Sequence, residues 1–469
     1  MKKRTVKILT GLAILLVALG VIYAIWVSIS AAQLRRAYAA LRKDGRPMSM
    51  EAVIPPPVEE VNNGALLYES AALLLKATPA PWPEVADPNA LSRKEAIQRD
   101  KVKNLLGYLS HLSSSFLKEP LEPDKRAELE GLLAEDIVVQ ALATVKLGTE
   151  RPSCRFDLDY DAGIDMGLPF LLEMKNLLSI LAAKARLEAQ PGPSGDVWDL
   201  VSTQLRFADA LRTEPVVVSQ FIRASSITTA CETVQQVCAA APPDRQKCDQ
   251  LDQVLTGLDD IVPLIAALDG ERMLFGEWVF GQPRAQLQRI VQEYTSERYE
   301  PDIYRWFRSQ RVCFKPLLLA DHAAYLRFMH KHARLLELPY APKRIDTLED
   351  AVLKAKKRHV LARTLTPNMP RVREIYTEMM AQVRVTRAGL ALLRHQQQHG
   401  SWPGRLDELG LNGLDDPFAA EPLRYRSEAK GFLLYSVGPD QQDDGGHPRA
   451  PKQKGDFDIV WHFTGPLPR

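Results

Sequence analysis

Residues 8–29 read ILTGLAILLVALGVIYAIWVSI, a run without a single charged side chain. An α-helix rises about 1.5 Å per residue, so the run is long enough to cross a hydrocarbon core of about 30 Å. Four basic residues precede it, Lys2, Lys3, Arg4 and Lys7. We therefore predict a transmembrane helix over residues 8–29, within an anchor that covers residues 1–30 and begins with a short cytoplasmic end.

Two features bear on how this run is processed and oriented. The apolar part of a cleaved signal peptide usually has about 7–15 residues, which is shorter than this run, although Ser28-Ile29-Ser30 has the small side chains of a cleavage site. Basic residues also follow the run, namely Arg35, Arg36, Arg42, Lys43 and Arg46. The positive charges are nearly balanced, and we expect the short end inside and the bulk of the chain on the extracytoplasmic (periplasmic) side.

The composition is that of an ordinary globular protein. The chain has 469 residues, of which 46% are apolar and 25% charged, which suits two or three domains with a real core. Its formal net charge is +2, whereas a nucleic-acid-binding protein usually presents a basic surface or stripe. We therefore expect no nucleic-acid partner.

The five cysteines indicate neither a zinc site nor a thioredoxin-like centre, because no two of them are spaced Cys-x-x-Cys. Cys231 and Cys238 are two turns apart on a predicted helix, and Cys248 follows the break at Pro242-Pro243. Two interpretations stay open. Cys248 pairs with one of the other two in an oxidising compartment, or these residues are buried thiols.

Proline separates the anchor from the main folded part. Residues 31–58 begin as a helical stalk and end in a linker that contains Ile54-Pro55-Pro56-Pro57, which cannot continue a helix. Residues 59–368 are predicted to form a large helical domain, either an irregular bundle or a stack of repeats. Apolar periodicity predicts helices at 91–118, 124–147, 169–189, 196–212, 215–240, 247–268, 283–297, 315–336, 346–360 and 370–399.

The character of the sequence changes near residue 400. The last long helix ends at His399-Gly400, where glycine suits the carboxyl-terminal cap. Strand patterns follow at 422–426, 432–437 and 459–463. Residues 369–469 are therefore predicted to form a small α+β module of one long helix and about three antiparallel strands, in a chain of mainly α class.

An acidic, glycine-rich loop joins the last two predicted strands. Its carboxylates are Asp440, Asp443, Asp444, Asp456 and Asp458. Calcium takes about six to eight oxygen ligands and accepts flexible loops that mix carboxylates with backbone carbonyls. Clustered carboxylates repel one another unless a cation or water separates them. The loop either binds Ca²⁺ through these residues or is a solvated acidic turn.

Short motifs surround this loop, in the order Asp416-Pro417-Phe418, Leu423-Arg424-Tyr425, Tyr435-Ser436-Val437-Gly438-Pro439-Asp440, Asp456-Phe457-Asp458-Ile459 and Trp461. Together they make residues 402–461 resemble the C-terminal part of the major pseudopilin of type II secretion systems. The resemblance implies a calcium ion in the acidic loop, with Asp440, Asp456 and Asp458 as ligands. It makes Asp443 or Asp444 further candidates, and Ser436 an additional oxygen.

Two features depart from the pseudopilin pattern. Phe418 and Ala419 stand where the family usually has Trp and Gly, and no Gly-Phe-Thr-Leu-x-Glu-like site precedes the apolar run. The chain is therefore not expected to be processed or assembled as a pilin. Its layout, with Glu214-Pro215 through Gln220 and the turn from Trp402-Pro403 to Leu409, also resembles uncharacterised bacterial envelope proteins. That resemblance implies no activity.

Histidines and acidic residues elsewhere give weaker indications. His395 and His399 have a metal-ligand spacing but lack the adjacent glutamate of a zincin and a third ligand nearby. The aspartates at 157, 159, 161 and 165 resemble an EF-hand loop, but Ala162 replaces its glycine and Leu168 its glutamate. We assign no catalytic residue and no organic cofactor, because the sequence has no Walker loop, dinucleotide fingerprint or Gly-x-Ser-x-Gly elbow.

These observations support two hypotheses of different classes. The first is a membrane-anchored envelope protein without enzymatic activity, a scaffold whose partner is an envelope or secretion-machinery protein and whose C-terminal module is stabilised by calcium. The alternative is a membrane-anchored hydrolase with its site in the helical domain, built from His322, His330 or His332. An enzyme would require those histidines to meet carboxylates in one pocket.

Overall fold

The computed structural model describes residues 2–82, 99, 102–189, 197–294, 309–312, 314–340, 347, 359–411, 413–448 and 457–464. Over these residues the chain is mainly helical, with a long apolar helix at the amino end and a three-stranded antiparallel sheet near the carboxyl end, as the sequence predicts. Its contacts form two compact units. Unit 1 comprises residues 1–54, 159–166 and 265–372, and unit 2 comprises residues 55–158, 167–264 and 373–469.

In chain order the helices are α1 (Lys2–Lys43), α2 (Ala65–Ala77), α3 (Leu105–Phe116), α4 (Pro123–Ala134), α5 (Asp136–Thr149), α6 (Phe170–Glu188), α7 (Val197–Ala208), α8 (Val217–Ala240), α9 (Arg245–Leu258), α10 (Val262–Glu271), α11 (Arg284–Tyr294), α12 (Lys315–Leu336), α13 (Leu361–Leu365) and α14 (Met369–His399). A π-helical turn, Arg272–Glu277, leads from α10 into Trp278–Phe280. The strands are β1 (Arg424–Glu428), β2 (Gly431–Ser436) and β3 (Ile459–Phe463).

Two predicted helices are each divided in the structure. The prediction of one helix over 124–147 is wrong, because the backbone of Glu135 is extended (φ −59°, ψ 135°) and separates α4 from α5. The prediction of one helix over 247–268 is also wrong. Pro263 is tolerated only in a first helical turn, and the Asp260 carboxylate accepts the Val262 amide at 2.8 Å where α10 begins. The predicted helix 346–360 lies largely outside the described residues.

Unit 1 is organised by two neighbouring helices, α1 and α12. The carboxyl-terminal half of α1, including the predicted stalk, packs along α12 and so belongs to the folded unit instead of standing free. Beside this pair lies an apolar cluster made by the segment after the π-helical turn, by α11, and by residues at or just before the starts of α12 and α13. Its buried members are Val279, Leu287, Ile290, Val291, Val312, Val360 and Leu361.

Unit 2 has its core around α6, which contacts α3, α7 and α8. The side chains of Leu177, Ile180 and Leu181 are entirely buried there. A buried polar network also joins α14 to the α7–α8 hairpin. Arg223, itself 0% exposed, donates from Nε to Asp209 at 2.7 Å and also bonds the Tyr376 hydroxyl on α14.

The predicted C-terminal module, residues 369–469, is not set apart by the contacts. From residue 373 onward it belongs to unit 2. Within that unit, three arginines of α14 form ion pairs with aspartates on or just after α9. These pairs are Arg384–Asp259, Arg387–Asp252 and Arg394–Asp249. Tertiary contacts thus join elements that the change in sequence character had separated.

The sheet has the order β1-β2-β3, with each neighbouring pair antiparallel. On β2, Leu434 pairs with Tyr425 of β1 and Trp461 of β3. The Trp461 ring lies directly against Gly389 of α14, where a Cβ would overlap it. The long helix therefore supports the sheet through this close approach, which requires glycine.

Candidate functional site

The predicted calcium loop follows β2, and Asp416 fixes the backbone where the loop begins. This aspartate is 1% exposed. Its carboxylate accepts the Ser436 hydroxyl at 2.8 Å, the Val437 amide at 2.8 Å and the Phe418 amide at 2.9 Å. The Asp-Pro-Phe motif therefore has a structural explanation. The Ser436 hydroxyl is engaged by this bond and accepts the Gly438 amide at 3.3 Å.

Asp443 is held by groups on the neighbouring strands. One of its carboxylate oxygens accepts the Tyr435 hydroxyl at 2.8 Å and the Gly445 amide at 3.0 Å, and the other lies 3.3 Å from Arg424 Nε. The hydrogen bond from Tyr435 is the main cause of a pKa below the usual value for this carboxyl. Because the Arg424 guanidinium, which also pairs with Glu421 at 2.8 Å, partly balances its charge, Asp443 is the least suitable metal ligand of the described loop aspartates.

Asp458 lies at the other end of the loop and is 2% exposed. Its Oδ2 accepts the backbone amides of Gly446 at 2.7 Å and His447 at 3.2 Å, so it holds the loop against the start of β3. Its Oδ1 is buried and has no hydrogen-bond partner among the described residues. Burial raises the pKa of this carboxyl above its usual value, although the backbone amides of Gly446, His447 and Asp444 oppose the shift.

The remaining predicted ligands lie nearby but do not complete a site. Asp440 Oδ1 accepts the Gln442 amide at 3.1 Å, and the backbone carbonyl of Asp444 accepts a hydrogen bond from the His447 ring. Asp456 lies outside the described residues. Within the part of the chain that the structure describes, no three His, Cys, Asp or Glu side chains are grouped to hold a metal ion. The fit to calcium therefore rests on the Asp458 oxygen that lacks a partner.

A second polar cluster joins α1, beyond its apolar run, to the rest of unit 1. The Tyr38 hydroxyl of α1 donates to Glu277 Oε2 at 2.7 Å, and His322 Nε2 of α12 lies 3.1 Å from the same oxygen. The Phe280 ring stacks on His322, with centroids 4.1 Å apart. Burial alone would raise the pKa of Glu277, but the hydrogen bonds from His322 and Tyr38 outweigh it and leave that pKa lowered.

The π-helical turn places Glu277 in this cluster. Tyr325 of α12 lies against Gly276, where any Cβ would overlap its ring. π-Helical turns are rare in proteins, but those that occur often lie at functional sites. Glu277 and Tyr38 could not be predicted from the sequence, because they are 239 residues apart and neither lies in a motif.

The chain just after α1 is also pinned to unit 1. Asp44 lies 2.7 Å from His330 Nε2, and Arg46 pairs with Asp269 at 3.4 Å and with Glu337. Arg272, 1% exposed, donates to the backbone carbonyl of Pro47. These bonds, together with the Tyr38 cluster, fix the direction in which the apolar helix leaves the unit.

The histidines proposed for a hydrolase do not meet at one pocket. His322 bonds Glu277, His330 bonds Asp44, and His332 is 2% exposed in the interior. A cavity of about 410 Å³ in unit 2 is lined instead by residues such as Lys118, Glu119, Arg126, Arg186 and Gln236. The structure thus gives His322 and His330 different carboxylate partners and buries His332.

The other predicted sites also have structural explanations. Four cysteines, Cys154, Cys231, Cys238 and Cys248, are free thiols, so of the two interpretations left open the structure has Cys248 as a buried thiol, and Cys313 lies outside the described residues. Burial raises the pKa of the Cys231 and Cys248 thiols to about 12, which makes them unreactive. The rings of His395 and His399 are 4.3 Å apart at the exposed end of α14.

Glu214, at the start of the Glu-Pro stretch, is the most strongly perturbed carboxylate of unit 2. It is 1% exposed. Burial raises its pKa to about 7, against the smaller opposing effects of the Phe156 amide and Arg155. Glu214 therefore changes its protonation state near neutral pH. Among the described residues, it neither belongs to a group of metal-binding side chains nor lies beside a pair of histidines.

Comparison with known proteins gives no relative. No protein-family model matches the chain, and no curated protein and no solved structure matches it either.

Proposed function

We propose that this protein is a membrane-anchored scaffold of the cell envelope, without enzymatic activity, whose bulk lies on the extracytoplasmic side. The supporting observation is that α1 continues without a break from the apolar run into the part that packs along α12 within unit 1. Of the described helices, α1 alone is long and apolar enough to cross a membrane. Its spanning part is exposed along its length, as a lipid-facing helix must be.

The continuous helix suits a scaffold because it transmits orientation. A flexible linker would leave the folded part free to rotate, whereas the bonds of Tyr38, Asp44 and Arg46 hold it at a set angle to the membrane-spanning segment. A protein that presents a surface to an envelope or secretion-machinery partner benefits from such a fixed orientation.

Fractionation and protease protection test the anchor and its direction. We expect the full chain to remain in the membrane after alkaline washing, and protease added outside the cytoplasmic membrane to degrade its bulk. Release into the soluble phase with a new amino terminus near Ser30 would show a cleaved signal instead. Protection of the bulk from external protease would reverse the proposed orientation.

We further propose that the acidic loop is stabilised by calcium, through Asp458 with Asp440 and Asp444 and, outside the described residues, Asp456. The buried Oδ1 of Asp458 supports this, because a buried carboxylate oxygen without a partner carries a desolvation cost that a cation would offset. The ion would neutralise the loop. Asp458 would still hold the Gly446 and His447 amides with its other oxygen.

Thermal unfolding of the full chain in detergent, with calcium and with chelator, tests this proposal. A ligand that binds only the folded form adds about 2.7 kcal/mol at a hundredfold excess over its dissociation constant. We expect calcium to raise the melting temperature of the wild type and Asp458→Asn to abolish the rise. Asp443→Asn is the matched control, since Arg424 already balances its charge, and it should keep the rise. An equal response of wild type and Asp458→Asn would refute the site.

Among the described residues, no observation favours the hydrolase alternative. His322 and His330 have different carboxylate partners, and the cavity of about 410 Å³ in unit 2 has none of the three histidines in its lining.

A further inference from the structure

We infer that unit 1 has a second membrane contact, in which Phe314 inserts into the bilayer interface beside the transmembrane helix. The Phe314 ring packs against Tyr23 and Trp26 of α1, with centroids 5.3 Å and 5.5 Å apart. All three rings lie in unit 1. The folded unit would thus rest on the lipid surface.

The depth of this aromatic cluster follows from the geometry of α1. If the middle of the apolar run, near residue 18, lies at the bilayer centre, Trp26 is about 12 Å further along the helix axis. Half the hydrocarbon thickness is about 15 Å, so Trp26 lies about 3 Å inside its edge, and Tyr23, about 7.5 Å from the centre, lies deeper. Phe314 touches both rings and must therefore lie between these depths, in the outer part of the hydrocarbon. This placement depends on the proposed function of α1 as a membrane span.

The exposure of Phe314 agrees with a lipid contact. Phe314 is 41% exposed even though its ring touches α1, and this is a high exposure for a large apolar residue. Tyr23 and Trp26 are 39% and 41% exposed on the same surface. Aromatic rings are enriched at the boundary between hydrocarbon and headgroups. The part of the Phe314 ring that does not contact α1 is thus available to contact lipid.

The residues after Phe314 suit the same boundary. Lys315 is exposed at the start of α12 and can extend its charge to the headgroups while its carbon chain stays near lipid. Leu317 and Leu319, in the first turns of α12, are partly exposed. The amino end of α12 therefore has the apolar and basic character of an interfacial helix end. We commit to lipid, and not a protein, as the occupant, because this patch is continuous with the lipid-facing surface of α1.

Spin labels on the full chain in phosphatidylcholine–phosphatidylglycerol nanodiscs test this placement. Oxygen concentrates in hydrocarbon and a water-soluble nickel complex does not, so the ratio of their relaxation effects reports depth. Labels are placed singly at Leu16, Phe314, Leu317 and Leu338 by substitution with cysteine. Cys154 and Cys313 are first changed to serine, while Cys231, Cys238 and Cys248 are buried and need no change.

Leu338 is the matched control, an apolar residue of unit 1 that is 43% exposed just beyond the far end of α12. We expect the oxygen-to-nickel ratio to be highest at Leu16, severalfold higher at Phe314 than at Leu338, and intermediate at Leu317. The Leu317 label reports depth independently if Phe314→Cys impairs folding.

The outcomes separate the two proposals. An aqueous ratio at Phe314 and Leu317, with a hydrocarbon ratio at Leu16, would overturn the second contact and leave the anchor intact. An aqueous ratio at Leu16 as well would show that α1 does not span the bilayer, and both proposals would fail.

Discussion

Glu277 in unit 1 and Glu214 in unit 2 are both carboxylates that the fold withdraws from water, yet their pKa values shift in opposite directions. The oxygen of Glu277 receives hydrogen bonds from Tyr38 and His322, and these outweigh its burial. Glu214 has only the weaker help of a backbone amide and Arg155, so burial dominates. The difference shows that the hydrogen-bonding and charged partners of a buried carboxyl group, more than its burial, decide which protonation state the fold favours.

The largest effect is expected from Glu214. Its pKa is raised from 4.5 to about 7, so the folded form binds the proton more tightly than the unfolded form. Its contribution to stability is therefore complete below about pH 4.5 and is lost as pH rises through about 7, a change of about 3 kcal/mol. Hydrogen exchange of peptides covering residues 209–224 measures this, and Glu214→Gln should flatten the pH dependence. An unchanged profile in the variant would assign the dependence to another group.

The Glu277→Ala change should cost about 2 kcal/mol, because it leaves Tyr38 and His322 without their shared acceptor in a mostly buried cluster. Denaturant unfolding in detergent gives the value. Glu277→Gln keeps an acceptor oxygen for Tyr38 and should cost less. Equal losses for the two variants would contradict a role for these hydrogen bonds.

Acid should loosen the same cluster in unit 1. The pKa of Glu277 is lowered from 4.5, so its contribution to stability is present above that value and is lost as pH falls through the folded-state pKa. The difference in stability between wild type and Glu277→Gln should therefore shrink as pH falls below 4.5. A difference that grows on acidification would mean that the carboxylate is not the stabilising form.

The smallest effect is expected from Asp443, an acidic residue that stays near solvent. The side chains of Asp443 and Arg424 are 46% and 35% exposed, so water screens their attraction. Asp443→Asn should change the free energy of unfolding by no more than about 0.5 kcal/mol in chelator. A loss as large as that of Glu277→Ala would show that exposure is a poor guide to the strength of these pairs.

Local periodicity correctly predicted the helices and strands that no break in the backbone divides. The bounds of α12 and β3 agree with the prediction, because an apolar repeat and an alternating strand pattern are complete within each. The break at Pro263 was visible in the sequence, since proline has no amide to donate. The break at Glu135 was not, because neither glycine nor proline marks it.

The sequence predicted which residues the candidate site contains, but not the contacts that these residues make. The aspartates of the acidic loop are close in sequence, so composition found them, but composition could not show that Arg424 engages Asp443 and that backbone amides engage Asp458. The free state of Cys248 and the different carboxylate partners of His322 and His330 likewise depended on packing.

The sequence by itself determined the apolar helix, the mainly helical class and the three C-terminal strands, because each depends on residues a few positions apart. Only the tertiary structure decided which side chains meet. Tyr38 reaches Glu277, and Phe314 reaches Trp26, across more than two hundred residues of chain. Such contacts form when packed helices bring distant side chains together, and no local pattern encodes them.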